Sequence, residues 1–519
     1  MAVRRGVARA AALLVSLTAI SQVLGFVRDA AIAAVFGAGA MVDAYLVAQG
    51  VMNLVLALVA GAVARAIVPP VSRAAHAGDP ERAHRTVQTA LTVTVVVLLA
   101  GSVVMFVAAE TVITVLAPGF DSGTRELAAS LTRIVLVATV FIAVTDLLAA
   151  AAQSHGRFFG SGIQGVPFNL AMIAAAVWFG PRYGIEALGV GFVVGSATRM
   201  IVQLPAVQAV GLRLRPRLAL RDDDVREVLR LTPPLLLGSA VVNVNTLVDR
   251  AIGSGQGEGV IAALSFGWRI VTLVDSLLVV TVVAALYPAF SAVGAADDRA
   301  KLRDLVGRAL SVMLVILTPV VVLLVVAAEP IVDLMFGRGD FGNDAVRMTA
   351  TAVAVYAVSA VGIAVRSIAS RACFAVGDSR TPVLVSVVSM VVNVVGDLTL
   401  GVRYGVPGLA AATSLSLVVG AGLLVYLLGR RHGAVALPAV SATAGRVLAA
   451  AAVGAAVVVA TGLADVPEDA GVAVTAWRVA AVAGTVAAVY VGVLVLMRSR
   501  ELRVVIAIVR PRLPSRWRS

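Results

Sequence analysis

The chain has a single cysteine, Cys373, among its 519 residues. One thiol excludes an intrachain disulfide framework and any metal site built from several thiolates. Charged residues are also scarce, at 14%, whereas apolar residues make up 60%. A typical soluble domain carries about 25% charged residues, because its surface faces water. The composition therefore excludes an ordinary soluble protein and predicts a membrane protein.

Catalytic and nucleotide-binding motifs are absent as well. No G-x-x-x-x-G-K-[ST] loop occurs, so the chain carries no P-loop ATPase of its own. The four histidines all fall in predicted cytoplasmic connections and form no H-E-x-x-H motif. These absences argue against an enzyme.

What the sequence does contain is a series of long apolar runs. A helix needs roughly 20 residues to cross about 30 Å of hydrocarbon, and fourteen segments meet that requirement. The predicted fold is therefore an all-α, multi-pass membrane protein. The segments lie near 10–38, 43–68, 86–108, 132–152, 164–180, 184–207, 232–254, 260–291, 305–327, 348–371, 381–401, 405–428, 443–463 and 473–497.

The basic residues that give the chain its formal net charge of +13 are distributed regularly between these segments. Clusters of basic residues occupy every second connection and both ends of the chain, which is typical of cytoplasmic loops. Both termini are therefore predicted to be cytoplasmic, and the positive charge to contact anionic lipid headgroups. A nucleic-acid partner is the weaker interpretation, because no soluble domain presents the charge. The clearest clusters are Arg4, Arg5 and Arg9; Arg73, Arg82 and Arg85; Arg213, Arg215, Arg217 and Arg221; Arg299, Lys301 and Arg303; Arg430 and Arg431; and Arg510, Arg512, Arg516 and Arg518.

Short motifs recur at an offset of 219 to 221 residues, which indicates an internal duplication. The recurring pairs are VAAE at 107–110 and 326–329, RYG at 182–184 and 403–405, Pro69 and Pro288 at predicted helix ends, and Asp29 and Asp249. Six helices per copy make the repeat parallel, which is typical of transporters with a central cavity. The predicted domains are an N-terminal lobe at 1–210, a basic cytoplasmic linker at 211–231, a C-terminal lobe at 232–430, two further helices at 431–497 and a basic cytoplasmic tail at 498–519.

Charged residues inside the predicted helices form the first candidate site. In SQVLGFVRDAAIAAVFG, Arg28 and Asp29 are adjacent in an apolar helix. Adjacent side chains project about 100° apart on a helix, so we expect each to find its main partner elsewhere. Such residues usually face a cavity or a bundle interior. Structural pairing that only holds helices together is the alternative. Arg28 from one lobe and Arg269 from the other would suit a phosphorylated anion, because a guanidinium donates two parallel hydrogen bonds and stays charged.

A second candidate site lies in the C-terminal half. Asn393 and Asp397 are four residues apart and share a helix face, and Thr413 lies on the next helix. With Asp249 they offer the oxygen ligands that hard cations prefer. Polar residues at this spacing also join helices by hydrogen bonds. The spacing alone leaves both interpretations open.

Several longer motifs resemble one known family. SQVLGFVRDAAIAAVFGAGAMVDAY, with Asn53 and Pro69, is similar to the start of the MurJ (MviN) lipid II flippases of the multidrug/oligosaccharidyl-lipid/polysaccharide exporter superfamily. So are LAPGF at 116–120, PIVDLMFGRGDF at 330–341 and FAVGDSRTP at 374–382. The resemblance covers all fourteen predicted helices.

The resemblance implies a two-lobed flippase of the bacterial plasma membrane that moves a polyprenyl-pyrophosphate-linked glycan, with lipid II as the expected substrate. It implies that the last two helices form a groove for the polyprenyl tail. It implies substrate-binding roles for Ser21, Arg28, Asp29, Asp43 and Arg269. It also implies a sodium site at Asp249, Asn393, Asp397 and Thr413, with sodium or the membrane potential as the driving force and cell-wall synthesis proteins as further partners.

The chain departs from the family pattern in its first two helices. Gln22 stands where the family usually has arginine, and Leu56, Ala57 and Gly61 replace an Arg-Arg pair and a glutamate. Arg65 is a candidate substitute. These departures concern the choice of substrate, so a flippase for another lipid-linked polysaccharide stays open. A drug/cation antiporter of the same superfamily is the other alternative, although it would favour an acidic cavity.

Overall fold

The computed structural model describes residues 2–57, 60–279, 290, 298–465, 467, 470–499 and 502. Side chains are described from residue 17 onward, except those of 60, 234, 235 and 237–244. The described residues are helical almost throughout and include no β-strand. The predicted all-α class is confirmed.

The helices of the first half begin with two long apolar segments and end with one that carries an acidic first turn. They are α1 (Ala2–Phe36), α2 (Ala40–Ala57), α3 (Ala60–Ala66), α4 (Val68–His76), α5 (Pro80–Val107), α6 (Ala109–Leu116), α7 (Ser122–Val135), α8 (Ala138–Ser154), α9 (Phe159–Ile163), α10 (Gly165–Ala174), α11 (Gly180–Tyr183), α12 (Glu186–Gln208) and α13 (Asp223–Ser254).

The helices of the second half are longer on average. They are α14 (Val260–Val274), α15 (Arg299–Val326), α16 (Ala328–Phe336), α17 (Asn343–Ala375), α18 (Arg380–Gly396), α19 (Val402–Tyr404), α20 (Val406–His432), α21 (Leu437–Thr461) and α22 (Val472–Leu496). Three π-helical turns continue α10, α14 and α18, at Ala175–Phe179, Asp275–Val279 and Asp397–Gly401.

Twelve helical segments of the described chain are long and apolar enough to cross a membrane, or thirteen if α7 and α8, bent by 40°, form one span. The 32-residue helix α13 corresponds to the seventh predicted segment. About fourteen membrane helices therefore agree with the structure. The eighth predicted segment is described only as far as residue 279 and at Phe290, so Pro288 lies outside the described residues. Most of the predicted tail at 498–519 lies outside them too.

The largest error in a predicted helix start is at α7. The segment predicted to begin near 132 starts at Ser122, because Asp121 accepts hydrogen bonds from the backbone N–H groups of Gly123 and Thr124 and caps the helix. The polar residues of that first part hid it from a search for apolar runs. The second predicted segment does end near Pro69: α3 ends at Ala66, and Pro69 lies in the first turn of α4, where a proline's missing N–H costs nothing.

The duplication is visible in the backbone. Helices α5 and α15 both have 28 residues, and their N-caps, Asp79 and Asp298, each accept a hydrogen bond from the N–H three residues later. After the π-helical turns that follow α10 and α18, the next short helices end at Gly184 and Gly405, with φ values of 66° and 64°. The offset of 219 to 221 residues is thus kept in local conformation as well as in sequence.

The chain divides into two compact units. The first comprises Met1–Ala262 with Arg338–Gly342, and the second comprises Ala263–Gly337 with Asn343–Ser519. Helix α13, which the repeat assigns to the second lobe, belongs to the first unit. The lobe boundaries drawn from the repeat are a different division and stay a prediction.

Each unit has a core of aliphatic side chains. In the first unit Ile67, Leu147 and Leu148 are fully buried among α3, α4, α5 and α8. In the second, Leu310, Ile368 and Leu428 occupy the equivalent position among α15, α17 and α20. The last two helices pack on α15, where the Tyr490 hydroxyl donates to the Val315 carbonyl at 3.1 Å.

Small residues allow backbones to approach closely, as is usual where lipid removes the hydrophobic drive for association. A Cβ on Gly119 of the LAPGF motif would overlap the backbone of Gly255, just after α13. A Cβ on Gly339 of the GRGDF motif would overlap the carbonyl of Ala34, and the Asp340 N–H donates to that carbonyl at 2.9 Å. Both motifs therefore hold helix ends of the first unit.

Candidate functional site

Helix α1 places Ser21 and Arg28 on one face, because seven residues make two turns. Asn169 of α10 contacts both. Its Nδ2 donates to the Ser21 carbonyl at 3.0 Å, and its Oδ1 accepts from Arg28 Nη1 at 3.2 Å. Gly165 on the same helix leaves room for the Ser21 hydroxyl, which a Cβ at that position would overlap. One amide thus joins the two predicted residues of α1 to a second membrane helix.

Arg28 and Asp29 also pair with each other. Arg28 Nε and Nη2 donate to Asp29 Oδ1 at 2.9 and 2.7 Å, in a site where the two side chains are 23% and 15% exposed. The expectation that helix neighbours would find their main partners elsewhere was wrong for this pair, since an arginine side chain is long enough to turn back onto the next residue. Three of the five guanidinium N–H groups are accounted for by Asp29 and Asn169.

Phe168 brings a second arginine to the same place. The guanidinium carbon of Arg28 lies 5.7 Å from the centroid of the Phe168 ring, and that of Arg199 lies 5.5 Å from it. Both distances are within the range of cation–π attraction. The ring also meets Phe192 edge-on at 5.2 Å. The first unit therefore holds two guanidinium groups around one aromatic ring, inside helices long enough to span the membrane.

Arg199 was not predicted as a site residue, although it lies inside the predicted membrane segment 184–207. Asp146 interacts with Arg199 electrostatically, without a salt bridge within 4.0 Å among the described residues. Arg199 Nε is buried and has no acceptor there. The sequence did contain a signal for Arg199, because Arg199 and Glu186 are the two charged residues of α12 and Glu186 lies in its first turn.

Asp43 is buried, unlike the other residues predicted to bind substrate. Its side chain is 1% exposed, and its two oxygens accept from the backbone N–H groups of Gly259 and Ala262, both at 2.7 Å. These two donors lie at the start of α14, where helix N–H groups lack intrahelical acceptors. In this conformation Asp43 caps a helix, and both of its oxygens are engaged.

Arg269 lies on α14 in the second unit and is half-buried. Its carbonyl accepts a hydrogen bond from Thr272 Oγ1 at 3.0 Å. Its predicted role in substrate binding stays a prediction. The same holds for Arg65 as a substitute for the missing arginines of the second helix; this residue is exposed on α3.

The second charged pair, Asp249 and Arg250, differs from the first. No salt bridge joins Arg250 to a carboxylate in the described part of the chain, and its Nη1 is buried without an acceptor. This guanidinium lies against Gly50 of α2, where a Cβ would overlap it. Any side chain at position 50 would occupy the space of this guanidinium, which explains Gly50 in physical terms.

The predicted ion ligands are placed as follows. Asn393 and Asp397 are 2% and 0% exposed, and Asn393 Nδ2 donates to Asp397 Oδ2 at 3.0 Å. Thr413 Oγ1 donates to the Leu409 carbonyl at 3.3 Å. These three lie in the second unit, whereas Asp249 lies in the first. Asp397 begins a π-helical turn, a feature that is frequent at functional sites.

Carboxylate, amide and hydroxyl oxygens of this kind suit a hard cation. The part of the chain that the structure describes has no cluster of three or more His, Cys, Asp or Glu residues suited to a metal ion. The intramembrane arginines are suited to phosphate oxygens, which accept charge-assisted hydrogen bonds. The two sites therefore differ in the sign of the ligand each favours.

Similar solved structures show the fold. A multidrug resistance MATE family transporter of the MOP superfamily, in its inward-facing conformation, has a TM-score of 0.67 at 17% identity, covering 81% of this chain and 95% of that one. Lipid II flippase MurJ in an inward closed conformation has a TM-score of 0.78 at 21% identity, covering 94% and 99%. The fold is that of the multi-pass transporters of the MOP superfamily.

The family follows from sequence. The pattern described as lipid II flippase MurJ matches residues 32–473, so the chain belongs to the MurJ family. Lipid II flippase MurJ of Burkholderia cenocepacia is 29% identical over 428 residues, covering 80% of this chain and 82% of that protein. The probable lipid II flippase MurJ of Vibrio cholerae is 27% identical over 432 residues, with the same coverage. Membership of this family supports the role of a transporter and not that of an enzyme.

Proposed function

We propose that this protein moves a polyprenyl-pyrophosphate-linked glycan, lipid II, from the inner to the outer leaflet of a bacterial plasma membrane by alternating access. Membership of the MurJ family supports this proposal, as do the names of the curated relatives. The observation that carries it in the structure is the arrangement of Arg28, Asn169 and Arg199 around Phe168, which offers guanidinium donors at membrane depth.

Each residue has a defined part in this proposal. Arg28 and Arg269 bind pyrophosphate oxygens when the transporter is open to the cytoplasm. Asp29 and Asn169 orient the Arg28 guanidinium, because both hold it by hydrogen bonds before any substrate arrives. Arg199 adds positive charge next to the same ring. Asp43 is left out of the binding set, since both of its oxygens cap α14.

The membrane arrangement of the proposal follows from the basic loops. Both termini are cytoplasmic, and the arginine-rich connections contact anionic headgroups of the inner leaflet. Substrate would enter from that leaflet, and closure of the cytoplasmic side would carry its headgroup across. Cell-wall synthesis proteins would receive the lipid-linked product on the other side.

Replacing the arginines tests the proposal. A charge-assisted hydrogen bond contributes about 1.5–3 kcal/mol, so Arg28→Ala or Arg269→Ala should lower flipping at least about tenfold, and Arg199→Ala should lower it in the same direction. Flipping is measured as the lipid-linked precursor that becomes accessible to an external probe, in cells that depend on the variant. Arg182→Ala is the matched control, because Arg182 is exposed on α11.

Protein level and membrane insertion must be equal in all variants. Full activity in both Arg28→Ala and Arg269→Ala would refute the assigned binding role. Restored activity in Arg28→Lys would show that charge without the planar fork suffices, and would contradict bidentate recognition.

A flippase for another lipid-linked polysaccharide is the second candidate, favoured by Gln22, Leu56, Ala57 and Gly61 at positions where the family pattern has charged residues. Depleting the protein separates the two candidates. Accumulation of lipid II on the inner leaflet supports the main proposal, whereas accumulation of a different polyprenyl-linked glycan with normal lipid II supports the second.

A further inference from the structure

A cavity of about 590 Å³ lies within the second unit. Helix α17 forms most of its wall, through Ile363, Arg366, Ser367, Ser370, Arg371 and Phe374. Phe290 and, from α20, Leu417 complete the apolar part of the wall. Its volume is in the range of cavities that hold small organic ligands.

The two faces of α17 explain why the cavity is there. Ala364, Ile368, Ala369, Ala372 and Cys373 are all 0% exposed and pack in the core of the second unit. The residues that line the cavity follow the opposite face at helical spacing, and none of them from Ile363 to Phe374 is fully buried. The helix thus turns a hydroxyl- and guanidinium-bearing face toward open space.

The cavity is both cationic and apolar. Arg366 Nη2 donates to the hydroxyl of Ser386 on α18 at 3.0 Å. That acceptor is neutral, and no carboxylate pairs with Arg366 in the described part of the chain. Arg371 is five residues further along the helix, about one and a half turns, and Ser367 and Ser370 lie between the two arginines. Guanidinium and hydroxyl donors beside phenylalanine and leucine suit an anion that is joined to a hydrocarbon tail.

The position of the cavity along the helix agrees with such a ligand. Arg371 and Phe374 are in the last two turns of α17, just before the loop that carries Asp378. At this end of the unit His432 Nε2 contacts Asp378, and Arg431 donates to Thr381 Oγ1 at 3.0 Å. These basic residues mark the predicted cytoplasmic side, where basic pockets between membrane helices bind lipid phosphates.

We propose that this cavity is a binding site for the phosphate headgroup of an amphipathic lipid, held by Arg366 and Arg371, with the apolar chain against Phe290, Phe374 and Leu417. Ser367 and Ser370 donate further hydrogen bonds to the phosphate. All residues of the site lie within the second unit. The proposal is separate from the transport of lipid II, because binding of a lipid phosphate here does not require the protein to flip that lipid.

Direct binding tests the site. The full-length protein, purified in detergent, is titrated with a polyprenyl monophosphate, with phosphatidylglycerol, with diacylglycerol and with inorganic phosphate, and bound lipid is counted by native mass spectrometry. We expect both lipid phosphates to bind, and the double variant Arg366→Ala/Arg371→Ala to bind them at least about tenfold more weakly, since two charge-assisted contacts are lost.

Two further variants guard against a folding defect. Arg403→Ala is the matched control, because Arg403 is an exposed arginine of the same unit; it should bind lipid phosphates as the wild type does. Ser370→Leu keeps both arginines but removes one hydroxyl donor and fills part of the cavity, so it should also weaken the binding of lipid phosphates. Each variant must elute as a single species with an unchanged melting temperature in the absence of lipid.

Three results would overturn the proposal. Equal binding of lipid phosphates to the wild type and the double arginine variant would show that the arginines do not hold the headgroup. Equal binding of diacylglycerol and phosphatidylglycerol would show that the phosphate is not recognised. Inorganic phosphate binding as tightly as the lipids would make this a site for free phosphate, with no part for the hydrocarbon chain. None of these results bears on the flipping assay.

Discussion

At the scale of single residues, the hydrogen bonds that a carboxylate accepts determine how easily it is protonated. Asp378 in the loop between α17 and α18 is the clearest case outside the membrane-spanning segments. Its carboxylate accepts from the Thr381 hydroxyl at 2.6 Å, from the Thr381 N–H at 2.9 Å and from His432 Nε2 at 2.8 Å. These bonds favour the charged form and hold the pKa of Asp378 well below its ordinary value of 3.8.

The lowered pKa predicts a pH-dependent stability. A group with a depressed folded-state pKa stabilises the protein above its unfolded pKa, and this contribution is lost as the pH falls through the folded value. The melting temperature of Asp378→Asn should therefore lie below that of the wild type at neutral pH, and the difference should shrink below about pH 4. Thermal unfolding between neutral pH and pH 3 measures it.

Asp344→Asn is the control for this measurement, because the Asp344 side chain is 99% exposed and makes one surface ion pair. Its melting temperature should follow the wild type at every pH. A difference between wild type and Asp378→Asn that stays constant down to pH 3 would contradict the assignment.

At the scale of elements, the family motifs act through close backbone contacts between helix ends. Gly339 has a φ of 62°, and a Cβ there would overlap the Ala34 carbonyl at the end of α1. Gly342, three residues later, has no atom within 4 Å of an added Cβ. The same loop thus contains a constrained glycine and an unconstrained one.

We expect Gly339→Ala to lower the free energy of unfolding by about 1–3 kcal/mol, because it adds left-handed strain and a steric overlap. Gly342→Ala should change it by less than about 0.5 kcal/mol. Reversible unfolding in mixed micelles gives both values. Equal losses in the two variants, or no loss in Gly339→Ala, would show that the motif does not hold the end of α1.

Helix capping by aspartate is the second feature at the scale of elements. Asp43, Asp79, Asp121 and Asp298 all accept hydrogen bonds from N–H groups at helix starts. An aspartate is among the best N-cap residues, because it satisfies donors that the helix leaves without acceptors. Asp43 differs from the others in that it caps a helix far along the chain, which is why its role could not be seen in the local sequence.

At the scale of the whole molecule, the proposed sodium ligands bear on what drives transport. With sodium and potassium compared at equal ionic strength, the wild-type flipping rate should rise with sodium. Asp249→Asn or Asp397→Asn should remove that dependence, because a carboxylate ligand of a hard cation is lost. Asp275→Asn is the matched control, since Asp275 is a half-buried carboxylate of a π-helical turn that is not among the proposed ligands.

Sodium dependence that persists in both variants would contradict the site. A wild-type rate that does not respond to sodium would exclude sodium as the driving ion and leave the membrane potential as the source of energy.

The sequence by itself determined the helical membrane class, the approximate number of spans, the duplication and the family. These are properties of long stretches: an apolar run of about 20 residues forms a helix in lipid because its backbone groups must be satisfied within the segment. The rule gives no information about polar helix starts, and the start of α7 was therefore missed.

Only the tertiary structure decided what the charged residues contact. Arg28 meets Asn169 across 141 positions of sequence, and Asp43 meets Ala262 across 219. Arg199 joins Arg28 through the ring of Phe168. Sequence spacing shows which residues share a helix face, but the partner of a buried charge is chosen by which helices pack together, and that is settled by shape complementarity over the whole unit.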